Sequence, residues 1–332
     1  MSIETHPTHL RIHQFAGLKP GPKLLVTAAV HGNEVCGVTA IGQVIQALDS
    51  GSLRLLKGTL TLVPVVNPLA YQLGRREGER NMNRNLRPAV IAQDFEDRLA
   101  GRLCPLMAQH DVLLDLHSFQ SRGQAFVMLG PRDNQHELEP FAHAAAEAML
   151  ACSLGPTRIV EGWLSTYALG LQRRKAKAGA GQTARQDLTL DPHYGVGTTE
   201  YMRSQGGYGV TLECGQHLDP QAPQVAHLAI LRALALLGLV SAESVGPHRP
   251  AQAPEFLQLY EVIDRQHPGD QFAREWSSFD VVEKDQLIGT RHDGSAVLAP
   301  ASGRIVFPNS MAAAGQEWCY LARPSDRTIA KQ

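Results

Sequence analysis

The sequence predicts an α/β domain on a mixed, largely parallel sheet covered by helices, with a small all-β module after it. Three observations carry that expectation. Apolar runs of strand length are mostly continuous, which marks strands buried on both faces. Up to about residue 240 they alternate with helical patterns. Beyond a proline-rich stretch the helical patterns stop.

The expected strands are 24–30 (LLVTAAV), 59–66 (TLTLVPVV), 112–116 (VLLDL), 125–129 (AFVML) and 209–212 (GVTL). All are short and rich in branched residues. The expected helices lie around 34–48, 93–109, 137–152 and 221–239. Residues 1–245 read as the main domain. The stretch 246–255 is polar and proline-bearing and reads as a linker. Residues 256–332 hold the runs FLQLYEVI, SFDVVEK, AVLAPASGRIVF and EWCYLAR, strand-like and separated by turn residues. A basic, glycine-bearing stretch at 170–187 reads as a solvated loop.

Composition narrows the function class. The chain of 332 residues is 43% hydrophobic with a formal net charge of −1, so no electrostatic case exists for a nucleic-acid or anionic-membrane partner. The first ten residues are polar, unlike a signal peptide, and the longest apolar run, 226–240, carries His227 and Arg232. Five scattered cysteines without a CxxC pair argue against disulfides and a cysteine metal site. A cytoplasmic protein is expected, whose metal, if any, sits on histidines and carboxylates.

Four motifs share one position. His31-Gly-Asn-Glu34 follows the first long strand, and its spacing on the first turn of a helix would put both side chains on one face. Such a pair is common by chance, and His136–Glu139 repeats it on what reads as solvated surface. Support comes from Asp115-Leu-His117, which ends another buried strand. His117 then emerges at the same sheet edge, and Asp115 shares its face as a partner for the imidazole. A His, Glu, His set with an open position suits one catalytic zinc ion. Glu213 ends a third strand, where a carboxylate needs a partner or a function; it would act as base and acid. After a fourth strand, residues 67–84 are dense in arginine and asparagine, which suits holding a carboxylate and an oxyanion.

Read together, HGNE at 31–34, NP at 67–68, the spacing of Arg76 to Asn83-Arg84, DLHS at 115–118 and TLECG at 211–215 make the chain resemble the succinylglutamate desuccinylase/aspartoacylase family. This is a branch of the zinc carboxypeptidase superfamily. The motifs run in the family's order over some 250 residues of the chain. The resemblance implies zinc ligands at His31, Glu34 and His117, a base/acid at Glu213, and Arg76 as a polarising group. Asn83 and Arg84 would hold a substrate carboxylate, with Arg203 as a further substrate-binding arginine. The C-terminal β module would partly cover the site. Where aspartoacylase-like members carry an acidic residue before the NR pair, this chain has Asn81, which is expected to hold Arg84 differently.

The function these readings imply is zinc-dependent hydrolysis of an amide in a small carboxylate-bearing substrate, best an N-acyl amino acid. A carboxypeptidase acting on short peptides would use the same residues. A non-catalytic zinc-binding protein on a hydrolase scaffold is the rival from another class. Whether the chain is a homo-oligomer stays open.

Overall fold

The computed structural model describes residues 6–136, 138–177, 191–245 and 253–328. Part of the expected linker, 246–252, and part of the basic stretch, 178–187, lie outside these residues.

The first half of the sheet is built from β1 (His13–Ala16), β2 (Lys23–Ala28), β3 (Thr59–Val63), β4 (Val112–Phe119), β5 (Phe126–Leu129), β6 (Arg158–Glu161) and β7 (Tyr208–Gln216). Strands β8 (Glu255–Asp264), β10 (Val281–Val282), β13 (Gly303–Val306) and β14 (Glu317–Pro324) complete it. The order across these 11 strands is β1-β3-β2-β4-β7-β5-β6-β8-β14-β13-β10. Pairing is parallel for β3-β2-β4-β7 and for β5-β6-β8, and antiparallel where β5 meets β7. The C-terminal residues therefore extend the main sheet through β8. They also form a separate antiparallel sheet of three strands, β12 (Ala296–Leu298), β11 (Leu287–Thr290) and β9 (Gln271–Phe272).

The alternation of side chains sorts the core into two layers. Leu24, Val26, Leu114, Leu116, Val210 and Leu212 point to one face, where they meet helices α1 (Cys36–Asp49), α4 (Ala144–Ser153) and α7 (Ala222–Leu236). Leu25 and Leu113 point to the other, against α3 (Phe95–Met107) and α6 (Thr198–Ser204). Burying the apolar stripes of these helices on both faces explains why the strands read as continuous apolar runs. Among the described residues no helix is long and apolar enough to cross a membrane.

Several elements differ from expectation. Helix α4 begins seven residues later than its pattern suggested, because Phe141 first pairs back with Asn134 in an isolated bridge. Helices α2 (Pro68–Gln72), α5 (Trp163–Lys177) and α6 were not anticipated. The first residues of the basic stretch, 170–177, belong to α5 and are not loop. Arg173 pairs there with Glu261, and Arg174 with Asp264 and Glu317, so these cations staple α5 to β8 and β14.

Candidate metal centre and active site

Strand order reverses between β2 and β4: β2 leads to β3 on one side, while β4 continues to β7 on the other. A crevice opens beyond the carboxyl ends of strands at such a point. His31 lies just past β2, and His117 lies in the last turn of β4's register, opposite Glu213 of β7. Below it, Asp115 pairs with Thr211. Period-two alternation thus puts Asp115, His117 and Glu213 on one face.

His31 and Glu34 occupy a turn that precedes α1, not its first helical turn as the spacing suggested. The turn is closed by Glu34 N–H donating to the His31 carbonyl at 3.1 Å. Gly32 lets it form, since a Cβ there would lie 2.0 Å from the Ala70 carbonyl carbon. Asn67 and Pro68 explain why α2 sits so close. Asn67 caps α2 through the Ala70 amide and donates to Glu96, and the proline occupies the helix start.

The buried carboxylate of Glu34 lies between two imidazoles. His31 Nδ1 is 2.9 Å from its Oε1, and His117 Nδ1 is 2.8 Å from its Oε2. The outer nitrogens are committed elsewhere. His117 Nε2 donates to Asp115 at 2.8 Å, and Asp115 is further held by Thr27 at 2.6 Å and by the Thr198 hydroxyl. His31 Nε2 meets Asn81 Oδ1 at 3.1 Å. That same oxygen accepts the Asn83 amide at 2.9 Å. An amide N–H can only donate, so the Asn81 atom is its carbonyl oxygen and His31 carries its proton on Nε2. His31 Nδ1 therefore directs a lone pair at a carboxylate oxygen.

Two acceptors face each other stably only with a cation beside them. Burial and the nearby Arg76 hold the His31 imidazolium down to about 4, against the pull of Glu34. For His117 burial also opposes the charge, but Asp115 and Glu34 outweigh it and raise the ring well above its ordinary value. His31, Glu34 and His117 can each offer one ligand atom, all within 4.8 Å of one another. The donor set, the fixed tautomers and the surplus of carboxylate fit one divalent cation.

Glu213 is the second sign of a site. Among the described residues its Oε2 is buried without a hydrogen-bond partner, although it lines a cavity of about 730 Å³ together with the three candidate ligands. Burial, then the charge of Glu34, push its carboxyl up to about 8, with His117 and Arg76 opposing. A β-bulge follows immediately: β7 spends an extra residue between Glu213 and Gln216, with Gly215 at φ +137°.

The arginine-rich stretch forms the cavity's wall. Arg76 is half-exposed and donates to Glu34 Oε1 at 3.0 Å. Arg84 donates to the Asn83 carbonyl at 2.8 Å and stacks over Trp163 and Tyr167, 4.9 and 5.4 Å from the ring centroids. Asn83 Oδ1 accepts the Thr198 amide at 2.8 Å. The Asn81 side chain makes no direct contact with Arg84 among the described residues; it holds His31 and the backbone of Asn83, the residue before Arg84. Sequence reasoning missed the supports of this wall. Arg80 pairs with Asp94 and Asp97 and donates to the carbonyls of Asn81 and Arg84, while buried Glu96 accepts the amides of Glu79 and Arg80. It also missed Trp163, Tyr167, His217, Glu317 and Tyr320, which line the cavity. The Tyr320 hydroxyl is buried and has no hydrogen-bond partner among the described residues. Aromatic and polar residues in ordinary strands and helices carry no local signal of this kind.

Arg203 is a different case. All five of its N–H groups are used: Glu147 takes two at 2.9 and 3.0 Å, the Gly209 carbonyl one at 2.9 Å, and Glu139 and Glu200 one each at 2.7 and 3.4 Å. It borders the cavity but has no donor to give a substrate carboxylate, which corrects its expected role. Glu139, expected on solvated surface, is drawn into this cluster; His136 does lie exposed.

The model of the succinylglutamate desuccinylase/aspartoacylase catalytic domain matches residues 20–237. The chain belongs to that family. Among solved structures, a succinylglutamate desuccinylase/aspartoacylase from Rhodobacter sphaeroides is similar at TM-score 0.70 and 16% identity, covering 96% of this chain and 90% of that one. The product-bound ectoine utilization protein EutE from Ruegeria pomeroyi gives 0.69 and 17%, covering 94% and 88%. An aspartoacylase family protein from Mesorhizobium loti gives 0.64 and 20%, covering 96% and 90%. These likenesses carry the fold along nearly the whole chain.

Two outcomes follow for the Arg203 cluster. Arg203→Met should lower stability by about 3–5 kcal/mol in denaturant melts, because Glu147 would stay buried without its cation; a substrate ligand would instead raise KM with stability intact. Burial, and then the neighbouring carboxylates, push Glu139 up to about 7 against the pull of Arg203. The folded state then binds a proton that the unfolded state releases near pH 4, so this group's contribution to stability falls as pH rises between those values. Glu139→Gln should flatten that decline in melts recorded from pH 5 to 8.

Proposed function

We propose that the protein is a zinc-dependent amidohydrolase that deacylates a small carboxylate-bearing substrate, an N-acyl amino acid. The observation that carries the reading is Glu213 Oε2, a buried carboxylate oxygen without a partner among the described residues, in the cavity that His31, Glu34 and His117 also line. A structural carboxylate at this depth would be hydrogen-bonded; one that must take up and release a proton needs a free oxygen. Family membership supports hydrolysis of an acyl amino acid as the reaction class.

His31, Glu34 and His117 would hold the metal, with Asp115 and Asn81 fixing the two rings. Zinc so bound supplies Lewis acidity, polarising the scissile carbonyl and acidifying water at the site. Glu213 accepts the proton of the attacking water on Oε2 and returns it to the leaving amine nitrogen. Arg76, anchored on Glu34 by one N–H, has others free to donate to the carbonyl oxygen as charge develops on it. Arg84 and the Asn83 side-chain amide bind the substrate carboxylate. The stacking of Arg84 on Trp163 and Tyr167 fixes the guanidinium plane before substrate arrives. Cavity walls from Phe307, Glu317 and Tyr320 of the C-terminal part face the same space. The five unpaired cysteines fit a cytoplasmic enzyme.

A Glu213→Gln variant tests the reading against a panel of N-acetyl and N-succinyl amino acids. It should retain the zinc content of wild type and lose about 10²- to 10⁴-fold in kcat, the size of a missing general base. Hydrolysis of every substrate at the wild-type rate would overturn the proposal. Product analysis with dipeptides in the same panel separates a deacylase from a carboxypeptidase.

A further inference from the structure

We infer that Asn81 is a positioning residue that couples the metal centre to the substrate-binding wall through one oxygen atom. The inference rests on the metal reading above. The Asn81 side-chain carbonyl accepts two hydrogen bonds, from His31 Nε2 at 3.1 Å and from the Asn83 backbone amide at 2.9 Å. The first fixes the tautomer of a candidate ligand. The second fixes the turn from which Asn83 and Arg84 reach into the cavity. Arg80 braces the same turn from the protein side by donating to the Asn81 and Arg84 carbonyls at 3.2 and 3.1 Å. The Asn81 oxygen is thus held in place before it meets His31.

The two candidate histidine ligands are also treated unequally. His117 leans on a carboxylate, Asp115, whose negative charge makes the ring a stronger donor to a cation. His31 leans on a neutral amide. A metal ion is accordingly held more firmly on the His117 side, and Asn81 sets how firmly on the other. Replacing the amide by a carboxylate would keep both hydrogen bonds and add charge. Replacing it by a methyl group would remove both.

Zinc affinity, read by competition with a chromogenic chelator on purified full-length protein, tests this without recourse to turnover. Asn81→Ala should weaken zinc binding about 10- to 100-fold. Asn81→Asp should bind at least as tightly as wild type, up to about 10-fold tighter. Thermal melts of the metal-free proteins should differ little among the three, which separates positioning from folding. Among the loaded enzymes Asn81→Ala should also raise KM for an N-acyl amino acid, and Asn81→Asp should restore it. Wild-type zinc affinity in Asn81→Ala would overturn the inference alone. Failure of the wild-type protein to bind zinc would overturn the metal reading, and this inference with it.

Discussion

The active-site half of the molecule is organised around one carboxylate placed between two imidazoles. Glu34 is buried, and both its oxygens face ring nitrogens whose opposite sides are already engaged. Burial alone would push its carboxyl up, but the two histidines, by charge and hydrogen bonding, hold it well below the ordinary value. The arrangement is self-consistent only with positive charge among the three side chains. A proton can supply part of it, and a divalent cation supplies it fully while leaving both rings neutral. The proposed cation would account for the expensive surroundings: Asp115 fully buried and saturated by Thr27, Thr198 and His117, and a strand end distorted by a bulge beside Glu213.

The sheet's topology makes this geometry available. Parallel strands β2, β4 and β7 end together, so three short segments remote in sequence deliver His31, His117 and Glu213 to one crevice. The wall from Arg76 to Arg84 is then fastened by charges lying beneath it, with Glu96 collecting backbone amides and Arg80 collecting carbonyls. The groups of this wall proposed to face the substrate keep donors free among the described residues, because others satisfy its backbone. Arg203 shows the opposite outcome, a cation surrounded until nothing is left to offer.

What could be read from the sequence follows from these facts. Strands β2, β3, β4, β5 and β7 were legible because burial on both faces leaves a continuous apolar run. The candidate ligands His31 and His117, and Glu213, stand out in the sequence because each is a polar residue directly after such a run, with Glu34 three residues past His31. Arg203 was misjudged because chain spacing records where an arginine stands and not which carboxylates reach it; Glu139 and Glu147 lie more than fifty residues away. Asn81 was noticed as a departure, yet its contact with His31 was not foreseen, since Arg84 is its neighbour in sequence while His31 is its neighbour in space. Short strands such as β1 and β6 draw their stability from pairing partners and carry little pattern of their own.

The most direct measurement of the central claim is an anomalous difference map at the zinc absorption edge from crystals equilibrated with zinc. The expected result is one strong peak per chain, about 2.0–2.2 Å from His31 Nδ1, His117 Nδ1 and a Glu34 oxygen. It should vanish in a Glu34→Gln variant that keeps the fold. A peak elsewhere, or none at this position at saturating zinc, would contradict the account.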